Sequence, residues 1–193
     1  MVARKPHITI FEFELSIEKI AAALFVPESL AVAALGDGRV ASRWSEYWGA
    51  QVGNLDKAQN TNQEGFDLST EVSSAQIDVS SKCLSKSGVR FQESKFQGSG
   101  RKCSTETLLF SLEKVDLFHI IDISDMPLVR IVTVHSRYLR AEVNAGRLKY
   151  TGWKAKGFYE FVDRTYDWEI KRVRLDLPTP VVIVAPELMA DAS

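Results

Sequence analysis

Apolar and polar residues alternate along two adjacent stretches near the middle of the chain, residues 65–72 and 75–83. A period of two predicts half-buried β-strands, because successive side chains of a strand point to opposite faces. The short Ser73-Ser74-Ala75 connection favours a hairpin between the two strands. The pattern therefore predicts one shared polar face, formed by Asp67, Ser69 and Glu71 of the first strand and Asp78, Ser80 and Lys82 of the second.

Around this hairpin the chain alternates between predicted helices and predicted strands. Apolar residues at helical spacing predict helices at 17–25, 28–35, 39–52, 104–115 and 136–145. Alternation or continuous apolar runs predict strands at 7–15, 89–96, 116–123, 129–134 and 180–186. The α-β-β-α-β order from residue 39 to residue 123 predicts an α/β (α+β) fold, in which helices flank a central mixed β-sheet.

The shared polar face has the chemistry of a divalent-metal site. Asp67 and Asp78 would supply carboxylate oxygens, and Mg²⁺ usually takes one or two such ligands and keeps water in its other positions. Lys82 would place an amine beside the ion. These three residues are the first candidates for catalysis, and Asp67 and Asp78 are the candidate metal ligands.

At these residues the chain resembles the PD-(D/E)xK nuclease superfamily, in particular the type II restriction endonucleases. Members carry an Asp on one strand, an Asp or Glu on the next strand and a Lys two residues later. The resemblance covers roughly residues 40–135 and implies a restriction-endonuclease-like core, Mg²⁺ as cofactor and double-stranded DNA as substrate. The sequence departs from the motif, because Ser80 stands two residues after Asp78 and the nearest lysine is Lys82.

Two registers of this motif are open. In the preferred register, Asp67 and Asp78 are the acids and Lys82 replaces the missing lysine. In the second register, Asp78 is the first acid and Glu93-Ser94-Lys95 is an intact E-x-K motif. The resemblance also implies a catalytic acid on the helix before the first catalytic strand, which would be Glu46. The alternative is that Glu46 is a solvated helix residue.

Size and composition indicate one domain. The 193 residues, with a hydrophobic fraction of 45% and a charged fraction of 25%, are typical of a globular protein. We expect a nuclease-like core at about residues 39–135, an N-terminal helical segment at 1–38 and a C-terminal basic and aromatic subdomain at 147–193. The sequence has neither an apolar run long enough to span a bilayer nor a signal-peptide pattern, so we expect a cytoplasmic protein.

The cysteines and histidines are scattered along the chain, so the sequence argues against a zinc site. Cys83 and Cys103 lack metal-ligand spacing, and we expect them to be reduced thiols. His119 lies inside an apolar run, which favours a core or strand-end histidine over a metal ligand.

Basic residues cluster in two stretches, although the net charge of the chain is −1. Residues 82–102 contain six bases and one acid, and residues 147–156 contain four bases and no acid. Each stretch would either contact nucleic-acid phosphates or form a solvated face. The aromatic residues between 147 and 168 would either stack on bases or pack in the core. The candidate DNA-binding residues are Lys86, Arg90, Arg101, Lys102, Lys154 and Lys156.

The first functional hypothesis is a Mg²⁺-dependent endonuclease of type II restriction type, which hydrolyses phosphodiester bonds at specific sequences in duplex DNA. A palindromic site requires a twofold assembly, so this hypothesis includes a homodimer. The alternative is a catalytically silent nucleic-acid-binding protein that keeps the nuclease fold, which Ser80 favours. A third hypothesis is a structural or partner-binding protein whose acidic residues form a solvated strand face.

Overall fold

The computed structural model describes residues 8–53, 55–57, 67–72, 75–97, 100–166 and 170–175. Within them, the strands are β1 (Ile8–Glu14), β2 (Asp56–Lys57), β3 (Leu68–Val72), β4 (Ala75–Leu84), β5 (Leu117–Asp122), β6 (Leu128–His135) and β7 (Ile170–Arg174). The helices are α1 (Ile17–Leu24), α2 (Glu28–Leu35), α3 (Gly38–Gly53), α4 (Thr105–Glu113), α5 (Ser136–Asn144) and α6 (Ala155–Tyr166). A short 3₁₀ helix spans Ser94–Phe96.

All seven strands belong to one mixed sheet in the spatial order β2-β3-β4-β5-β6-β1-β7. The strands β2, β3 and β4 are antiparallel neighbours, whereas β4 and β5 are parallel. Parallel neighbours need a crossover connection, and α4 lies in that connection. Strand β1 lies antiparallel to β6 and parallel to β7. The predicted α/β fold with a central mixed sheet flanked by helices is therefore confirmed.

Helices cover both faces of the sheet. On one face, strand residues pack with α4, α5 and α6 in a core that includes Ile10, Ile120, Val132, Leu112, Leu139 and Phe158. On the other face, strand residues pack with α3 in a core that includes Phe11, Ile121, Ile131, Ala41 and Val52. Every residue of β5 is buried, which explains why this central strand is a continuous apolar run and does not alternate.

Serine caps fix where two of the predicted helices begin. The Ser16 hydroxyl accepts a hydrogen bond from the Lys19 amide at the start of α1. At α4, the Ser104 hydroxyl accepts from the Thr107 amide at 3.3 Å, and the Thr107 hydroxyl accepts from the Ser104 amide at 2.9 Å. This reciprocal capping box satisfies two amides that would otherwise lack partners, and it holds α4 against the segment that precedes it.

The prediction of a strand at residues 89–96 is wrong. Only Val89 pairs with another backbone segment, in an isolated antiparallel bridge to Trp153. Strand β4 already has β3 and β5 on its two edges, so no edge is open to this segment. The segment instead crosses a face of the sheet with Val89 and Phe91 buried. The apolar alternation here reflects alternate contacts with the core.

The aromatic residues after position 147 belong mainly to the core. Of the two alternatives, stacking on nucleic-acid bases or packing in the core, the second therefore applies to most of them. Phe158, Phe161 and Tyr166 of α6 are buried, and the Trp153 ring stacks on Phe161 with 5.1 Å between centroids. Tyr150 is the exception, with 42% of its surface exposed. Trp168 and the strand predicted at 180–186 lie outside the described residues.

Segments near both ends of the described chain complete the sheet. Residues 8–14 and 170–175 contribute neighbouring strands, and the Leu175 amide continues their ladder with a 2.7 Å hydrogen bond to the Glu12 carbonyl. The regions expected as N-terminal and C-terminal segments thus share one sheet with the core. Across the described ranges, we find no helix whose length and apolarity would allow it to cross a membrane.

Candidate active site

Asp67 is held against strand β4 at the point where β3 begins. Its amide donates a 3.0 Å hydrogen bond to the Val79 carbonyl, which continues the β3–β4 ladder by one residue. One carboxylate oxygen, Oδ2, accepts hydrogen bonds from the Ser80 hydroxyl at 3.0 Å and from the Ser81 amide at 2.7 Å. Two donors on β4 therefore fix the orientation of the Asp67 carboxylate.

Lys82 lies two residues beyond Ser80 on the same face of β4. Part of the residue reaches the surface, but burial of its amino group lowers the pKa of Lys82. The negative charges of Asp67 and Glu93 act in the opposite direction, followed by smaller contributions from Cys83 and Glu46. Among the predicted carboxylates, Asp67 and Glu93 therefore act most strongly on the predicted lysine, and Glu46 acts least.

Glu93 reaches this group from the segment that crosses the sheet. Its amide donates a 3.1 Å hydrogen bond to the Ser111 hydroxyl on α4, which fixes the backbone. Its carboxylate forms ion pairs with Lys95 at 3.1 Å and with Lys114 at 3.3 Å. Within the described residues, the buried Oε1 atom accepts no hydrogen bond, although the Lys114 ammonium lies 3.3 Å away. Both oxygens of Glu93 therefore face a lysine ammonium group, and a metal ion bound here would displace one of the two lysines.

Glu46 is supplied by α3, the helix that precedes the first strand of the hairpin region. It is half-buried, and its charge acts on Lys82. This position agrees with the prediction of an acid on that helix, and it disfavours the alternative of a purely solvated residue.

The contacts of Asp78 and Lys95 differ from those that the two registers predict. Asp78 pairs with Ser69 across the hairpin and accepts a 2.6 Å hydrogen bond from the Gln76 side-chain amide. Asp78 and Lys82 are four positions apart on β4, which corresponds to about 13 Å. Lys95 belongs to the 3₁₀ helix, where its ammonium lies 5.3 Å from the Phe96 ring centroid. The structure therefore combines Asp67 and Lys82 of one register with Glu93 of the other.

The contacts of Ser80 were not visible in the sequence. The serine looked like a defect in the motif, but its hydroxyl orients Asp67. Lys114 was also missed, because a single lysine at the end of a helix carries no local pattern. Both contributions depend on which segments meet in the fold, and only the β3–β4 register, Ser69 opposite Asp78, could have placed Ser80 opposite Asp67.

A second buried charged group lies at the C-terminal end of β5, two residues beyond the position opposite Lys82. The fully buried Asp122 carboxylate accepts hydrogen bonds from the Tyr159 hydroxyl at 2.7 Å and from the Arg130 guanidinium at 3.3 Å. Burial and the Asp122 charge raise the pKa of Tyr159. Ser124 donates from both its amide and its hydroxyl to the other Asp122 oxygen. Because both oxygens of Asp122 are paired, this group fits a structural role.

The six candidate DNA-binding residues are exposed and form two groups. Lys86 and Arg90 lie around the bridge that joins Val89 to Trp153, next to Lys154 and Lys156. Arg101 and Lys102 lie just before α4, and Arg101 donates a hydrogen bond to the Ser94 carbonyl. The first group joins residues from both basic stretches on one surface.

The residues around Lys82 fit Mg²⁺ by their donor chemistry. Among the described residues, no three His, Cys, Asp or Glu side chains converge closely enough to hold a metal ion by themselves. Mg²⁺ usually binds through one or two carboxylates, with water and substrate phosphate completing its coordination. Asp67 and Glu93 are two such carboxylates, and Mg²⁺ at Glu93 would take the place of the Lys95 or Lys114 ammonium.

Comparisons with known proteins add no relative: no family model, no curated protein and no solved structure matches the chain. Function is therefore argued from the site itself.

Proposed function

We propose that the protein is a Mg²⁺-dependent endonuclease that hydrolyses phosphodiester bonds in duplex DNA, in the manner of type II restriction enzymes. The observation that carries this proposal is the Asp67 carboxylate, which Ser80 and Ser81 hold on the strand face that also bears Lys82. The charges of Asp67 and Glu93 both act on the buried Lys82 amino group. Carboxylates paired with a partly desolvated amine are suited to phosphoryl chemistry, in which the protein neutralises charge and positions water.

Each residue has a separate task in this proposal. Asp67, oriented by Ser80 and Ser81, and Glu93, held by Ser111, would bind Mg²⁺. When bound, the ion supplies a Lewis acid for the scissile phosphate. The Lys82 amino group would orient the attacking water and offset the negative charge that develops on the phosphate. Glu46 would add a further negative charge on the α3 side.

The order of elements also supports the proposal. Helix α3, strands β2, β3 and β4, helix α4 and strand β5 follow one another, with β4 and β5 parallel. This is the arrangement that the resemblance to the PD-(D/E)xK superfamily implies. If Lys82 is the lysine of the motif, the acid position two residues before it is occupied by Ser80 instead of Asp78, and Glu93 would replace that acid from a different segment.

The test is cleavage of mixed-sequence plasmid DNA across a Mg²⁺ titration. We expect Asp67→Asn, Glu93→Gln and Lys82→Ala each to reduce the cleavage rate by ~10²–10³, as loss of an electrostatic catalytic group typically does. Glu71→Gln is the matched control for Asp67, because Glu71 is an exposed carboxylate on the same face of β3. No Mg²⁺-dependent cleavage by the wild type would overturn the proposal.

The same assay distinguishes the registers. Asp78→Asn should leave cleavage within about tenfold of wild type, because Asp78 lies away from Lys82. A severe loss in Asp78→Asn, with normal cleavage by Glu93→Gln, would instead assign the metal to Asp67 and Asp78. Lys95→Ala tests whether Lys95, in the Glu93-Ser94-Lys95 motif, supplies the catalytic amine in place of Lys82.

A catalytically silent nucleic-acid-binding protein is the second candidate, and the serine at position 80 favours it. This protein would shift duplex DNA in a gel in the presence of Ca²⁺ but would not cut it in Mg²⁺. The nuclease proposal includes a homodimer, which sedimentation of the full chain with and without duplex DNA would test.

A further inference from the structure

We propose that the two basic stretches form one composite surface, built on the Val89–Trp153 bridge, that holds the phosphate backbone of duplex DNA beside the Lys82 site. The surface consists of Lys86 and Arg90 from one stretch and Lys149, Tyr150, Lys154 and Lys156 from the other. This inference rests on the proposed function for its choice of duplex DNA as the partner.

The bridge brings together segments that lie more than 60 residues apart in the sequence. Val89 and Trp153 exchange two backbone hydrogen bonds, from the Val89 amide at 2.8 Å and from the Trp153 amide at 3.1 Å. The Lys154 ammonium also donates to the Lys86 carbonyl at 3.3 Å. The two basic stretches, which are far apart in the sequence, therefore form one surface.

Two glycines make this close approach possible. Gly88 and Gly152 have φ values of +106° and +80°, which side-chain-bearing residues rarely adopt. A Cβ atom at Gly88 would lie 2.4 Å from the Trp153 carbonyl oxygen, and one at Gly152 would lie 1.8 Å from the Val89 carbonyl oxygen. The Trp153 ring anchors the bridge in the core against Phe91 and Phe161.

The charge of this surface is uniform. Residues 84–92 and 145–159 contain six bases and no acid, so they carry a formal charge of +6. The whole chain carries −1, so its remaining residues carry −7. Arg147 is bound to Glu142, and Lys156 lies 3.9 Å from Glu160. In the part of the chain that the structure describes, Lys86, Arg90, Lys149 and Lys154 form no ion pair.

The surface lies within reach of the candidate active site. Lys86 follows Lys82 by four residues and Arg90 precedes Glu93 by three, so chain length limits their Cα separations to about 14 and 11 Å. Lys86 and Arg90 therefore connect the surface directly to Lys82 and Glu93 of the candidate site.

Duplex DNA suits this surface better than an acidic protein. The charged groups of its lysines and of Arg90 are exposed and sit on flexible side chains. Phosphates at regular spacing match such a surface, and their neutralisation releases counterions. Tyr150 would contribute an exposed ring at the edge of the contact.

The test measures the affinity of the full-length protein for a mixed-sequence duplex in Ca²⁺ at several salt concentrations. Two double variants, Lys86→Ala with Lys154→Ala and Arg90→Ala with Lys149→Ala, each remove two charges from the surface. Each should lower the slope of log affinity against log salt by up to ~1.8, since one contact to B-DNA contributes ~0.9. The second variant avoids the Lys154–Lys86 hydrogen bond, so its result stands if the first fails to fold.

Lys19→Ala with Lys171→Ala is the matched control, because it removes two exposed charges elsewhere on the molecule. An unchanged slope in both surface variants, an equal loss in the control, or no binding of duplex DNA by the wild type would overturn the inference. If the surface variants lower the slope but the wild type does not cleave DNA, the composite surface stands and the nuclease proposal is overturned. If the wild type cleaves DNA but the surface variants leave the slope unchanged, the nuclease proposal stands and the composite surface is overturned.

Discussion

His119 illustrates how the environment of one residue decides its chemistry. It lies on β5, and the Cβ atoms that Gly49 and Gly53 lack would lie 3.0 Å from its Nδ1 and 2.8 Å from its Cε1. Within the described residues, its buried Nδ1 forms no hydrogen bond. Burial lowers the pKa of His119 to about 4. The expected core histidine is confirmed, and two glycines of α3 provide its space.

We predict that His119 makes the protein less stable as the pH falls. In the unfolded chain the imidazole has its ordinary pKa near 6.5, whereas in the fold its pKa is about 4. Between these values the unfolded state binds the extra proton, so the free energy of unfolding decreases as the pH falls from about 6.5 to about 4. The loss attributable to this residue is about 3 kcal/mol.

Urea unfolding of the wild type and His119→Gln at pH 7 and pH 4 checks this prediction. The variant should show a smaller decrease in stability between the two pH values, whatever its stability at pH 7. His135→Gln is the control, because His135 is only half-buried. An identical pH dependence in His119→Gln and wild type would contradict the prediction.

At the residue scale, the sequence predicted which residues belong to the candidate site better than it predicted which of them lie together. The period-two pattern placed Asp67 and Lys82 on one strand face, and the preceding helix provided Glu46. It also placed Asp78 with them, because alternation shows which face of the strand a side chain lies on but does not show which other side chains it contacts there. The approach of Glu93 depends on contacts with α4, and the sequence carries no local signal for such contacts.

At the element scale, the segment between β4 and α4 was the part that sequence patterns described incorrectly. The helices and strands on either side were predicted because their apolar spacing directly reflects which face is buried. Residues 89–96 also alternate, but both edges of β4, the strand that precedes them, are already paired. Gln92 explains where the segment goes instead, because its side-chain amide donates to the Ser104 carbonyl and the Thr107 hydroxyl of α4.

We predict that Gly152→Ala destabilises the protein more than Gly146→Ala. Both glycines have left-handed backbone conformations, with φ values of +80° and +72°, so alanine incurs a cost of ~1–3 kcal/mol at either position. Only at Gly152 would the new Cβ atom also collide with the Val89 carbonyl, since nothing lies within 4 Å of the Cβ position at Gly146. Separation of the Val89–Trp153 pair should therefore add to the loss.

Chemical denaturation of the two variants measures this difference. Gly152→Ala should also bind duplex DNA more weakly, because the two parts of the composite basic surface would separate. Equal losses of stability in the two variants would show that the bridge contributes little.

At the scale of the whole molecule, we predict that a divalent cation stabilises the fold through the candidate active site. A ligand present at 100 times its dissociation constant raises the free energy of unfolding by about 2.7 kcal/mol. For a chain of this size, that corresponds to a rise in Tm of roughly 5–10 °C. Ca²⁺ serves as the probe, because the measurement then does not depend on cleavage.

Asp67→Asn and Glu93→Gln should lose this rise in Tm, and the exposed Glu71→Gln should keep it. A rise of equal size in all variants would place the cation elsewhere. The absence of any rise in the wild type would argue against a metal site at Asp67 and Glu93.

The position of β1 has a consequence for how the chain is made. This strand lies between β6 and β7, so its Glu12 meets Arg130, a residue 118 positions later in the sequence. Ribosomes add about 5–20 residues per second, so β1 waits roughly 6–24 s for its first partner strand. During this time Ile8, Ile10, Phe11 and Phe13, all buried in the finished protein, have no sheet to join. The nascent protein therefore exposes this apolar segment until β6 has been made, and chaperones that bind such segments would act during that interval.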